Sequence, residues 1–530
     1  QFECGVDFAF DVVEGDRLTL DKLAVYSTGG PAVASEAVLA EAHGAVSRAW
    51  DLGFDELMAR QRAALDEFWM RSDVRIEGDD EAQQAVRWNL FHLAQATSCT
   101  DGEGVPAKGL TGRGYDGHYF WDTEVYVQPF LVATQPALVR ELLSFRHRML
   151  PAARRAAGLV SENGALFPWR TINGEEASAY YLAGTAQYHI NADIAHALRE
   201  YVEWTGDDGI LREGGAEVLV ETARMWAGLG FHSQTDGKFH IHGVTGPDEY
   251  TTIVDDNTYT NMMARENLAF AAAVVHQLES TDAQWFEAFR RRMELGAGEA
   301  ISWQRAAAGM FIPFDSGRGV HPQDAHFLEK EVWSFASTPA ENYPLLLHYH
   351  PLVIYRFQVL KQADVVLAMH LLPEEFIDTE RRSNFLYYEP LTTGDSSLSH
   401  AIQSVVASEV GEQDLALQHF EHALFMDLAN WAGNVDDGVH IASAGGVWTA
   451  LFSGFAGVRR HGHSLQFNPS LPTRWRSLEF RLRFRDRLLG VRIERDALTL
   501  RLHGELPLLV VVQGKDLELL PGVERLVDMA

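Results

Sequence analysis

Cysteine is nearly absent from this 530-residue chain, which has only Cys4 and Cys99. They lie far apart with no CxxC spacing, so neither a disulfide framework nor a cysteine zinc site is supported. A reducing cytoplasm is the expected compartment. Basic residues are also scarce, with 44 Lys and Arg against 74 Asp and Glu, a net charge of -30. Binding to phosphate backbones or anionic lipid needs a basic surface, so nucleic acid and membrane are not expected partners. No apolar run is long enough to span a bilayer, and no signal peptide opens the chain. The first residue is Gln1, and QFECGVDFAFDV reads as a strand already in progress, followed by the similar LTLDKLAVYSTGG. Something N-terminal to this segment is therefore expected.

What is present is the composition of a globular protein, 46% hydrophobic and 22% charged, too long for one ordinary core. From about residue 50, apolar residues recur at helical steps. Helices are predicted at Asp55–Met70, Glu81–Thr97, Ala137–Ala157, Thr185–Gly206, Val218–Leu229, Asn257–Leu278 and Asp282–Leu295. More follow at Tyr355–Leu372, Leu398–Gly411, Asp414–Asn430 and Gly446–Arg459. About a dozen helices in roughly 400 residues predict a toroid or a solenoid of helical hairpins, and no fixed-period repeat favours the solenoid. After about residue 462, LEFRLRFRDRLLGVRIERDALTLRLHG alternates polar and apolar residues, the pattern of a small antiparallel β unit.

Four stretches concentrate chemistry. Gly109–Tyr126 sets glycines beside Tyr115, His118, Trp121, Asp122 and Glu124. Aromatic faces match the C–H faces of a sugar, and carboxylates bond its hydroxyls, although a glycine turn leading into a helix with core aromatics would look similar. His242–Asn261 holds Asp248 and Glu249 in a loop stiffened by Gly246 and Pro247. Crowded or desolvated carboxyls have raised pKa values, as a general acid requires. The rival reading of this stretch is a solvated or calcium-like acidic loop, with Asp256 or Asn257 capping the next helix. Lys361 and Gln362 sit in an otherwise apolar helical pattern and must find partners if buried. In Tyr387–His400, Gly394, Asp395, Ser396 and Ser397 open a helix, which suits an anion site or an ordinary N-cap. Glu389 is a second candidate carboxylate there. His189, His348 and His350 read as structural histidines, and no HExxH, Walker-type or GxSxG context occurs.

Together these strings resemble glycoside hydrolase family 65, the maltose, trehalose and kojibiose phosphorylases and related α-glucosidases. The resemblance rests on GYDGHYFWDTE, FPWRTINGEE with Tyr188–Asn191, GPDEY with DDNTYTNMMARENL, KQADVV, YYEPLTTGDSSLS and HIASAGGVWTALFSGFAGVR, in order over residues 50–460. It implies a mainly α fold: an (α/α)6 barrel over 51–461 and a C-terminal β-sheet domain over 462–530. Residues 1–30 would be the tail of an N-terminal β-sandwich, joined by a linker over 31–50.

The resemblance also implies roles. Glu249 would be the general acid. Trp121, Asp122, Lys361 and Gln362 would hold the cleaved glucose, and the segment Thr393–Ser399, with Thr393, Gly394, Ser396 and Ser397, would hold phosphate. One departure stands out, because many of the family's phosphorylases have His where this chain has Gly394. The expected reaction is inverting phosphorolysis of an α-glucoside disaccharide to β-glucose 1-phosphate. Inorganic phosphate is then a co-substrate, and no cofactor or metal is required. An inverting α-glucosidase with Glu389 as base and a non-catalytic sugar-binding scaffold are the alternatives. A homodimer is the expected assembly, with a separate N-terminal fragment of the same protein as a further partner.

Overall fold

A computed structural model of the chain describes residues 8–27, 33–98, 103–160, 162–178 and 184–529. Both cysteines lie outside the described residues. Contacts divide the chain into Gln1–Met70 and Arg71–Ala530.

The first unit departs from the sequence expectation twice. Residues 8–27 form no strand, although the side chains alternate as a strand's would. A strand exists only when a neighbour takes up its N–H and C=O groups, and this segment is largely exposed. The expected linker over 31–50 is mostly the helix Ser35–Leu52. Its five alanines and lack of proline favour helix by intrinsic propensity, though none of its residues is buried. Gly53, at φ +76°, separates it from the helix Phe54–Ser72.

The second unit is mainly helical. Its centre is the helix Thr258–Thr281, which packs against Ile190–Thr205, Ala216–Leu229, Glu299–Gly309 and Asp364–Leu371. Asn257 caps it by accepting the Thr260 N–H at 2.9 Å, as predicted. The helix expected over Ala137–Ala157 is two, Pro136–Arg148 and Leu150–Leu159. Pro151 supplies no N–H and its ring crowds the preceding turn, so the chain restarts there.

The helix expected over Tyr355–Leu372 is shortened to Asp364–Leu371. Residues Phe357–Gln358 instead pair in parallel with Glu331–Val332. The N–H groups of Lys361 and Gln362 are committed to the Asp248 carboxylate rather than to a helix. The two residues thus precede the helix and do not lie inside it.

The β region begins at Val458, four residues ahead of the predicted boundary. One sheet runs Val74–Glu77, Ser477–Phe484, Arg487–Glu494, Ala497–His503 and Glu524–Asp528. The other runs Lys515–Leu519, Leu508–Val512, Ser464–Phe467 and Val458–His461, and it is not wholly antiparallel, because Leu508–Val512 lies parallel to Ser464–Phe467. The strand Val74–Glu77 comes from ahead of the helices, with Ile76 opposite Leu478. Aromatic contacts seat the sheet on the helices: Trp475 meets Phe420 and Phe455 at 5.5 and 5.0 Å, and Phe484 meets Trp204 at 5.2 Å. Trp204 Nε1 also donates to the Arg483 carbonyl at 2.5 Å.

Candidate active site

The loop closed by the Val244↔Val254 bridge, ahead of the helix Thr258–Thr281, is built around Asp248 and its partner Asp364, both fully buried. The Asp248 N–H donates to Asp364 Oδ1 at 2.8 Å, and Asn257 Nδ2 donates to Asp364 Oδ2 at 2.9 Å. The Asp248 side chain accepts from Lys361 N at 2.8 Å and from Gln362 N at 3.4 Å through Oδ1, and from Thr251 Oγ1 at 2.8 Å through Oδ2. Gln362 Nε2 donates to the Pro247 carbonyl at 2.7 Å. Burial pushes both carboxyls up, and the charge of Asp248 adds to the rise at Asp364. Asp248 therefore binds the backbone at 361 while sitting next to 249 in the chain. That brings Lys361 Nζ to 3.2 Å from Glu249 Oε1, with each side chain 23% exposed. Burial alone would depress the ammonium, but Glu249, Tyr115 and Asp248 outweigh it and raise the Lys361 pKa.

Asp122 belongs to the same cluster. Burial, reinforced by the charges of Glu124 and Glu249, pushes its carboxyl up to about 7, against its own backbone N–H and Lys361. It stands at the entry of a π-helical turn, Thr123–Val127, in which Glu124 is buried and paired with Arg146 at 2.8 Å. Trp121 is only 3% exposed, packed edge-on to His189 at 5.0 Å and Tyr126 at 5.8 Å. His189 is in turn held by Asp193 at 2.7 Å and Gln187 at 2.9 Å, a structural role as expected. The indole thus backs Asp122 and presents little open face.

Tyr115 is the exposed aromatic here, at 48%, with its hydroxyl in the field of Lys361, Asp122, Glu249 and Arg170. Its φ of +60° and that of Asp116, +52°, place two non-glycine residues in the left-handed region. Arg170 steadies that turn through Asp116 Oδ2 at 3.2 Å and the Tyr115 carbonyl at 3.3 Å.

The segment expected to hold phosphate lies alongside. Ser396 Oγ donates to Gln362 Oε1 at 2.8 Å, which ties the two predicted groups together. Thr393 Oγ1 donates to the Leu360 carbonyl at 3.1 Å. Asp395 does not cap the helix Ser399–Glu409; it accepts from the Tyr250 hydroxyl and, at 3.1 Å, from Leu345 N. The N-cap position is Leu398, which offers no side-chain cap; its own N–H donates to Ser396 Oγ at 3.3 Å and the Ser399 N–H donates to the Ser396 carbonyl at 3.1 Å. Gly394 has φ +73°, and a Cβ there would stand 2.6 Å from His400 Nε2. The imidazole of His400 fills the space that a side chain at 394 would need. Its ring stacks on His422 at 3.8 Å, and burial with His422 and His419 pushes its pKa down to about 2, so it is neutral. Glu389 faces elsewhere: Oε1 lies 2.9 Å from His419 Nε2, and Oε2 accepts from Gln403 Nε2 at 2.9 Å.

Glu249, Lys361, Gln362 and Ser396 thus form one connected group, with Asp122 within the field of Glu249 and Lys361. Asp364 and Arg170 also adjoin it, although no site role had been read from the sequence for them, as does Tyr115, one of the aromatics that the sequence had marked as matching a sugar face. Asp364 lay within the quoted KQADVV string, inside the helix expected over Tyr355–Leu372, and the structure instead puts it at a helix start.

Residues 87–449 match the glycosyl hydrolase family 65 central catalytic domain, and 458–519 match that family's C-terminal domain. The chain belongs to glycosyl hydrolase family 65. It is 44% identical over 465 residues to an alpha,alpha-trehalose phosphorylase of Geobacillus stearothermophilus, covering 88% of this chain and 60% of the relative. It is 32% identical over 536 residues to a kojibiose phosphorylase of Halothermothrix orenii, covering 96% and 69%. A solved human-microbiome chain, provisionally named a kojibiose phosphorylase, superposes with a TM-score of 0.87 at 28% identity, covering 94% of this chain and 66% of that one. The chain spans about 60% of the length of the trehalose phosphorylase it matches. No helix among the described residues is long and apolar enough to cross a membrane.

Proposed function

We propose that this chain carries the catalytic centre of an inverting α-glucoside phosphorylase built on an (α/α)6 barrel, with Glu249 as proton donor. The observation that carries the reading is the Glu249–Lys361 pair at 3.2 Å, joined through Gln362 to Ser396 beside an uncapped helix end. Asp122 and Gln362 bond the hydroxyls of the cleaved glucose, and Trp121 fixes Asp122. Phosphate sits at Thr393, Gly394, Ser396 and Ser397, where N–H groups meet its charge and the Thr393 and Ser396 hydroxyls join them by turning their hydrogens from the Leu360 carbonyl and Gln362.

A phosphate oxygen bonds to the anomeric carbon from the face opposite the glycosidic oxygen. The C–O bond breaks, its electron pair leaves with the acceptor sugar, and Glu249 protonates that oxygen. The products are β-glucose 1-phosphate and a free sugar. Phosphate arrives as an anion, so no second carboxylate is needed to deprotonate it. Hydrolysis would need a base roughly 6.5–9.5 Å across the bond, and the engagement of both Glu389 oxygens with His419 and Gln403 disfavours that alternative. The reaction takes phosphate as co-substrate and no cofactor. The names of the relatives support trehalose and kojibiose as the first substrates to try.

The test incubates trehalose, kojibiose, maltose and nigerose with and without phosphate. β-Glucose 1-phosphate should form with one of them only when phosphate is present, and Glu249→Gln should lower the rate about 10²–10⁴-fold. Glucose release at full rate in phosphate-free buffer would overturn the reading.

A further inference from the structure

We propose that His240, His242 and Asp256 form a binding site for a divalent transition ion of the zinc type, clipping together the two ends of the loop that bears Glu249. The three donor groups lie within 4.8 Å of one another. Two imidazole nitrogens face one carboxylate oxygen: His240 Nδ1 is 2.9 Å and His242 Nε2 is 3.4 Å from Asp256 Oδ2. With metal–nitrogen and metal–oxygen distances of about 2.0–2.2 Å, the edges of a tetrahedron are about 3.3–3.6 Å, so an ion fits once the two imidazole nitrogens, now within 4.8 Å of each other, draw together by up to about 1.5 Å, a movement the exposed His242 side chain can supply. Two imidazoles and one carboxylate select a borderline ion such as Zn²⁺ over Ca²⁺ or Mg²⁺, which prefer oxygen shells.

The surroundings are those of a supported site. The far nitrogen of His240, Nε2, lies 3.2 Å from Asp236 Oδ2, the carboxylate–histidine arrangement that fixes the tautomer of a ligating imidazole. His242 Nδ1 is 3.9 Å from Asp255 Oδ1 in the same sense. The other oxygen of Asp256 is occupied, accepting from Asn261 Nδ2 at 3.1 Å and Ile241 N at 3.3 Å, which leaves Oδ2 for the histidines. The His240 ring is sandwiched against Phe311 at 4.7 Å and Phe231 at 6.0 Å, and so cannot swing away. Asp256 holds φ +49°, a strained value for a non-glycine residue, which turns its side chain back towards the hairpin. The His242 side chain is 45% exposed, leaving room for a water as fourth ligand and a path of entry.

The consequence is mechanical. His240 and His242 precede the Val244↔Val254 bridge and Asp256 follows it, so the ion would close the base of the loop in which Glu249 rides. Binding is independent of which reaction the site performs, so its failure and the failure of the phosphorylase reading are separable.

The test titrates the chelator-treated 530-residue chain with ZnCl₂, and separately with CoCl₂ as a visible probe of coordination number. Expected are one Zn²⁺ per chain, a higher Tm, slower amide exchange over residues 244–254, and the intense visible band of four-coordinate Co²⁺. His242→Ala alters an exposed side chain; it should leave the Tm in chelator unchanged and abolish all four responses. Asp236→Asn should weaken zinc binding about 10–100-fold while sparing the ligands themselves. No stoichiometric uptake, a six-coordinate Co²⁺ spectrum, or full binding retained by His242→Ala would each overturn the site.

Discussion

The Asp122 carboxyl is held up to about 7, chiefly by burial. The folded chain therefore keeps a proton that the unfolded chain, with an Asp near about 3.9, releases. Stability consequently falls as pH rises from about 4 to about 7 and levels off above that. Asparagine resembles the protonated form and does not titrate. Wild type should thus lose Tm relative to Asp122→Asn between about pH 5 and about pH 8, as followed by thermal melts. Parallel Tm curves for the two proteins would sink the assignment. Legibility at this scale was uneven. Asp122, Glu249 and Lys361 stood in strings dense with polar groups, and they meet. How far the Trp121 indole is exposed depends on neighbours such as His189, 68 residues on in sequence, and no local pattern encodes that.

The element that decides the site's geometry is the loop through Gly246, Pro247 and Asp248. A Cβ on Gly246 would stand 2.1 Å from Asp364 Oδ2 and 2.6 Å from Asn257 Nδ2, both buried and pinned to each other. Gly246→Ala must push Asp364 aside and with it the Asp248 N–H. Overpacking of this kind costs about 1–3 kcal/mol. The displacement passes to the Glu249–Lys361 pair, and a misplacement of about 1 Å costs about 10²-fold in rate. Turnover should therefore drop far more than stability, whereas Gly158→Ala, with nothing within 4 Å of its Cβ, should leave turnover unchanged. Equal turnover in the two variants would mean that the loop tolerates the shift. Long periodic helices such as Thr258–Thr281 were legible with their caps. The segment Tyr355–Gln362 was misread, because its helical spacing was overridden by two N–H groups bonding a carboxylate 113 and 114 residues earlier. Ser35–Leu52, which buries none of its residues, had been read as a linker.

Within Arg71–Ala530 the helices and the β region share too much structure to melt apart. The strand Val74–Glu77 alternates over only four residues, too few to register in sequence, and its partner lies some 400 positions on. That is why the sequence boundary at residue 462 separated two regions that the fold joins. Arg476 N donates to the Glu77 carbonyl at 2.6 Å, and the neighbouring Trp475 is 2% exposed between Phe420 and Phe455. Removing a buried tryptophan side chain costs about 3–5 kcal/mol, since transfer energy is lost and a cavity remains. If sheet and helices form one cooperative unit, that loss is shared by both. Trp475→Ala should then lower the melting of helical ellipticity and of the β-sheet infrared band by the same number of degrees. A variant whose sheet signal melts first, while the helical signal keeps its wild-type midpoint, would show that the β region is a separable cap and that the strand from residue 74 does not couple it to the helices.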